Sequence, residues 1–154
     1  MDDAKTRPAP PYEVDFFAWS QDQGKRLREI RPNSIDWENV AEEIETLGRS
    51  EKRSIESNLG VVLLHLLKWQ YQPSGRDNSW RASIAEHRKC IRRDMKDSSS
   101  LRRYPGEVLA EEYETARLGA SGETQLPETA FPEICPYTIE EILDPDFLPD
   151  APPG

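Results

Sequence analysis

Five side chains have the types and spacing from which a chemical site can be assembled: Glu42, Glu45, His65, Arg81 and Arg88. Glu38, Glu42 and Glu45 recur at i, i+4, i+7, the spacing that lines one side of a helix. His65 sits inside the apolar run Leu59–Leu67, and His87 falls on the apolar stripe of a later segment. Carboxylates and histidines facing inward are the parts of a metal-carboxylate bundle or an acid–base pair. A di-iron bundle takes Glu-x-x-His from two helices, whereas this chain has Glu42-x-x-Glu45 and no Glu-x-x-His. The competing reading makes His65 a core histidine with its ring hydrogen-bonded, as burial requires. Arg81, Arg88 and Arg92 (i, i+7, i+11) form a basic side of their helix, and guanidinium groups bind carboxylate or phosphate bidentately. The same geometry lets Arg81 and Arg88 pair with Glu42 and Glu45 within the molecule.

Other machinery is missing. Gly60, Gly75 and Gly106 are isolated, so no phosphate loop forms, and there is no Gly-x-Ser-x-Gly or His-Glu-x-x-His. Cys90 has His87 three residues before it, but a catalytic thiolate needs an activating, accessible setting. Cys90 and Cys135 are too few for a metal cluster or a disulfide scaffold. No metal or cofactor is expected.

The elements that must position these residues are helical. The chain has 154 residues, a length that suits one domain. Asp15 caps a helix from Phe16 to Ile30 that ends at Arg31-Pro32-Asn33, because the residue before proline avoids the α region. Asp36 or Ser34 caps a second helix whose apolar stripe is Trp37, Val40, Ala41, Ile44 and Leu47, with Gly48 as its C′ residue. A third starts at Ser50 and runs to about Gln70; the nearly all-apolar Leu59–Leu67 makes it the central one. A fourth spans Ser79 to Met95, with Trp80, Ile84, His87, Ile91 and Met95 on one face. A fifth starts near Pro105 and stops before Gly119. No period-2 pattern predicts a strand.

The expected architecture is all-α: a single-domain bundle of about five helices over 12–119, without a sheet, preceded by a flexible tail at 1–11. An extended Pro-rich arm over 120–150 packs on the bundle, and 151–154 is a tail. Thr138-Ile139-Glu140-Glu141 has the capping-box form and predicts a short helix at Ile139–Leu143. Seven of the 13 prolines lie from Ala120 onward, yet Phe131, Tyr137, Ile142 and Phe147 give the arm side chains to bury.

Several motifs occur in order: Val40-Ala41-Glu42-Glu43-Ile44-Glu45, Leu47-Gly48, His65-Leu66-Leu67-Lys68-Trp69, Gln72-Pro73, Ser79-Trp80-Arg81, Cys135-Pro136-Tyr137-Thr138 and Asp144-Pro145-Asp146-Phe147-Leu148-Pro149. In combination they resemble the bacterial family called domain of unknown function 29, from about Tyr12 to Pro149. The resemblance implies a small, mostly helical bacterial protein and carries no activity, ligand or catalytic residue.

Charge excludes some functions. The net charge is -9, which argues against general nucleic-acid binding. No run approaches the ~20 apolar residues of a membrane span, and Met1–Pro11 has no apolar core of a signal peptide; a cytoplasmic location is expected. From Arg76 to Arg103 nine basic residues meet four acidic, net +5, whereas from Glu107 to Gly154 twelve acidic meet one basic, net -11. Either these segments neutralise each other or the basic helix docks an anionic partner. The leading functional expectation is a non-enzymatic protein acting through a protein partner or self-association, with Phe17 and Trp19 off the main stripe of the first helix. The alternative is a small metal-dependent or acid–base enzyme built on Glu42, Glu45, His65 and Arg81 or Arg88.

Overall fold

The computed structural model describes residues 7–30 and 35–153. It contains α1 (Phe16–Glu29), α2 (Trp37–Tyr71), α3 (Asn78–Asp97), α4 (Tyr104–Thr124) and α5 (Ile139–Leu143), with single 3₁₀ turns at Pro73–Gly75, Ser99–Leu101 and Glu128–Ala130. The fold is all-α. Among the described residues there is no strand, only an isolated bridge between Asp15 and Ser98. The proposed stop at Arg31-Pro32-Asn33 and the proposed cap Ser34 lie outside the described residues, as do the first six residues of the tail.

The chain packs as two compact units. The first contains residues up to Arg53 together with Asp94–Arg102; the second contains Ser54–Arg93 and Arg103 onward. Helices α2 and α3 each contribute to both.

In the first unit, α1 meets α2 through two glycines. A Cβ on Gly48 would stand 3.0 Å from Ser20 Cβ and closer still to its Oγ; a Cβ on Gly24 would stand 2.5 Å from Glu45 Cγ. Each glycine therefore opens a notch for a side chain of the opposite helix. This corrects the expectation that Gly48 ends a helix: among the described residues no glycine has positive φ, and α2 runs 35 residues without a break. The two helices foreseen around Gly48 and Ser50 are one. The buried face of α2 here carries Ala41 and Gly48, while Val40 (37% exposed) and Leu47 (58%) of the expected stripe face outward.

The loop after α3 is a fixture of α1 rather than a simple break. Asp15 accepts from Ala18 N at 3.0 Å as N-cap, and from Ser100 N and Oγ at 2.8 Å each. Ser98, fully buried, accepts from Phe17 N at 2.9 Å. Both capping interactions satisfy N–H groups that the first turn leaves free.

In the second unit Leu59, Val62, Leu63, Leu66 and Leu67 are fully buried, with Ile84, Ile91, Tyr113 and Ala116 beside them. Helix α4 continues past Gly119, whose Cβ position lies 3.3 Å from Leu64, to Thr124; Gln125 then takes the left-handed stop at φ 63°. The extended segment accordingly begins five residues later than its expected start. Phe131, Tyr137 and Ile142 are buried, whereas Ile134 is 84% exposed. Tyr113 donates to Pro132 O at 2.6 Å, Arg117 to Glu128 O at 3.0 Å, and Tyr137 to Gln70 Oε1 at 2.7 Å. Thr138 and Glu141 close the capping box of α5.

Gly48→Ala tests the notch. In an open helix this change adds about 1 kcal/mol of stability; here overpacking is expected to cost about 1–3 kcal/mol in urea denaturation. Adding Ser20→Gly should restore part of the loss. A stabilised single variant would show that the close approach is not required.

Candidate functional site

The first unit holds a groove of about 360 Å³ lined by Tyr12, Glu13, Phe16, Glu51 and Asp97. Its walls are set by the start of α1. Tyr12, Phe16 and Trp19 recur at i, i+4, i+7 and form one aromatic cluster. Tyr12 meets Phe16 edge-on at 5.7 Å between centroids with planes 82° apart, and meets Trp19 at 4.8 Å; Phe16 and Trp19 stack at 6.0 Å. Tyr12 is 57% exposed. Two roughly perpendicular rings thus face three carboxylates.

Glu51 is anchored by the hydroxyl of Ser98, the same group that accepts from Phe17 N. Burial raises its pKa, and the nearby charges of Asp94, Asp97 and Asp15 add to the rise. No cation of the described chain lies over Tyr12 or Phe16. Elsewhere the chain covers its own aromatic faces: Lys52 stands 4.6 Å from the Phe17 centroid, Lys68 4.5 Å from Trp80, and Arg76 5.0 Å from Trp69.

The residues singled out from sequence fall into three places. Glu42 and Glu45 do come together, in an ion network on the first unit. Arg28 bonds Glu45, with Nη2 to Oε2 at 3.0 Å, reaches Glu42 at 3.5 Å and bonds Glu38 at 2.8 Å. Arg49 bonds Glu42 at 2.9 Å. The Arg28 hydrogen bonds hold the Glu45 carboxyl below the ordinary carboxylate range, against the effect of its burial. His65 is half-buried, its Nδ1 2.9 Å from Val61 O on the same helix, so the histidine donates into its own backbone. Arg81 and Arg88 line one cavity of the second unit.

The ion pairs foreseen between these arginines and glutamates are replaced. Glu42 and Glu45 take Arg28 and Arg49. Arg88 donates to Ile142 O at 2.6 Å and Glu141 O at 3.3 Å, capping the carbonyl end of α5. Arg88 is also not on a solvated side: it is 1% exposed. Arg81 and Arg92 are exposed. His87 Nδ1 lies 2.6 Å from Asn58 Oδ1, and Cys90 and Cys135 are free thiols, half-buried. Burial pushes the Cys135 thiol up, away from a reactive thiolate. Among the described residues no three His, Cys, Asp or Glu side chains are arranged to hold a metal ion, and no helix is long and apolar enough to cross a membrane.

Sequence reasoning passed over Tyr12, Glu51, Asp97 and Arg28. The i, i+4, i+7 aromatic spacing from Tyr12 was the available signal, hidden by placing Tyr12 at the edge of a tail. For Glu51 and Asp97, only the fold puts them on one groove.

The family model described as Domain of unknown function DUF29 matches residues 11–148. The chain belongs to that family. The matched range takes in both Tyr12 and Leu148, so the groove and the Arg81–Arg88 cavity lie within this DUF29 chain's shared part. Its fold is similar to that of an alpha-helical protein of unknown function from Rhodospirillum rubrum, with a TM-score of 0.72 and 25% identity over 91% of this chain and 93% of that one. No curated protein matches the chain.

The Glu51 shift has a consequence for stability. A carboxyl whose folded pKa lies above its unfolded value stabilises the fold below the unfolded pKa, and that contribution is lost as pH rises through the folded pKa. At neutral pH the Glu51 charge therefore opposes folding. Glu51→Gln should raise the melting temperature at pH 7 by about 2 °C, a small figure because solvent screens the half-buried group. The gain should vanish near pH 4. Equal gains at both pH values would refute the electrostatic origin.

Proposed function

We propose that this protein is non-enzymatic and acts by binding another protein, whose basic segment enters the Tyr12–Phe16 groove. One observation carries the reading: the Tyr12 and Phe16 rings stand beside three carboxylates and, among the described residues, have no cation over them. An ammonium or guanidinium group is drawn to the face of an aromatic ring by its quadrupole. The Glu13, Glu51 and Asp97 carboxylates supply the opposite charge, and each supplies acceptors for the cation's N–H groups. Arg and Lys side chains on an extended peptide bring this chemistry. The acidic surface around the groove also steers a basic partner towards it, an effect that salt screens.

The remaining candidate residues are engaged within their own surroundings: Arg28 holds Glu45 charged, and His65 Nδ1 donates into its own helix.

The test is capture of a partner from native lysate at low salt, followed by fluorescence anisotropy with a Lys/Arg-rich peptide drawn from the captured protein. Tyr12→Ala should weaken binding about tenfold, in the range of a desolvated cation–π contact. Glu13→Gln with Asp97→Asn should weaken it and flatten its salt dependence. Peptide binding that none of these changes alter would place the partner elsewhere.

A further inference from the structure

The second unit carries a cavity of about 390 Å³ between α3 and the turn that follows α5. Arg81, Arg88 and Asn78 come from α3; Asp146 and Leu148 come from the turn. The volume lies in the range of small-ligand sites. The turn is fixed: Asp146 N donates to Asp144 Oδ1 at 2.9 Å, and Phe147 N to Asp144 O at 3.2 Å.

Arg88 is the unusual member. It is 1% exposed and has no carboxylate at ion-pair distance; its protein acceptors are the carbonyls of Ile142 and Glu141. Two carbonyl dipoles hold the guanidinium in place but leave its unit charge uncompensated, and buried charges are ordinarily paired. Its Nη1 group makes no hydrogen bond to the described chain. Asp144 and Arg92 act on it in opposite directions, and desolvation outweighs both. Arg81, seven residues earlier on the same side of α3, is exposed and its guanidinium makes no bond to the described chain, so its five side-chain N–H donors are open.

The charge of the lining selects the ligand. Two guanidinium groups against the single carboxylate of Asp146 leave a net positive charge of one. That matches a monoanion; a phosphate dianion would meet repulsion from Asp146. Apart from Asn78 the rest of the lining is apolar, with Ile84 and Leu148 among it.

We propose that this cavity binds a carboxylate carried on an apolar stem, with Arg81 engaging it bidentately, Arg88 compensating its charge, and Ile84 and Leu148 packing on the stem. The carboxylate belongs either to a small organic acid or to the C-terminus of a peptide with an apolar last residue.

Calorimetric titrations with benzoate, inorganic phosphate, a heptapeptide ending in leucine with a free α-carboxylate, and its C-terminal amide test this. Benzoate or the acid-ended peptide should saturate the protein; benzoate points to a small acid, the peptide alone to a chain terminus. Arg81→Ala, at an exposed position, should keep the wild-type melting temperature and weaken binding at least tenfold. Arg81→Lys should recover only part of it, because an ammonium lacks the two-pronged geometry. Tyr12→Ala should leave these titrations unchanged, which separates this cavity from the groove of the first unit. The proposal is overturned by no saturable binding of either carboxylate, by tighter binding of phosphate, by equal binding of the amide, or by an Arg81→Ala variant that binds like wild type.

Discussion

A helix that ends among packed side chains leaves its last N–H and C=O groups without partners, and each of the two units is organised around meeting that need once. At the start of α1, Asp15 and Ser98 take up free N–H groups; Asp15 also accepts from Ser100, so the two residues tie the segment after α3 to this helix. At the end of α5, the Arg88 guanidinium takes up the Ile142 carbonyl and adds a second donor to Glu141 O, which also accepts from Asp144 N. Both devices place charge where it is partly desolvated. The first leaves Glu51 beside three aspartates; the second leaves Arg88 without a counter-ion. The two cavities described above sit at these points.

Much of the fold was legible because hydrophobic periodicity reports burial directly. The fully buried leucines of α2, the α3 stripe through Ile84 and Ile91, the Asp15 cap and the Thr138 capping box all follow from local rules. Glycine misled the reading twice. Gly48 and Gly119 look like stops because glycine takes the left-handed C′ conformation readily. Here Gly48 is helical because Ser20 needs the space, Gly119 is packed against Leu64, and the left-handed stop is made by Gln125. A glycine that ends a helix and one that admits a neighbour have the same local sequence; only the partner helix distinguishes them.

The candidate site was less legible for a related reason. Side-chain chemistry can be read along one helix, as Glu42 and Glu45 were, but the partner is chosen by packing. Arg28 reaches Glu45 because Gly24 lets that carboxylate lie against α1. Arg88 was read as part of a basic face with Arg81 and Arg92, yet the end of α5 takes its guanidinium at this level of α3 and buries it, while Arg81 and Arg92 stay in solvent. Spacing alone gave these three arginines equal standing; burial separates an anchored, uncompensated charge from two exposed ones.

Glu51 and Arg88 share a physical state that bears on how binding is controlled. In each, desolvation is the largest influence on the group and it favours the neutral form. A ligand of opposite charge restores the stabilisation that lost solvent once gave, so it binds with a gain that an exposed ion pair does not offer. For Glu51 the effect couples to pH: a bound cation draws its pKa back down, so binding releases a proton from the fraction of molecules in which Glu51 is protonated. Arg88 has no such coupling, because a guanidinium stays protonated even when its pKa falls. The groove is therefore expected to weaken as pH drops towards the Glu51 range, whereas Arg88 gives the cavity no acid dependence of its own.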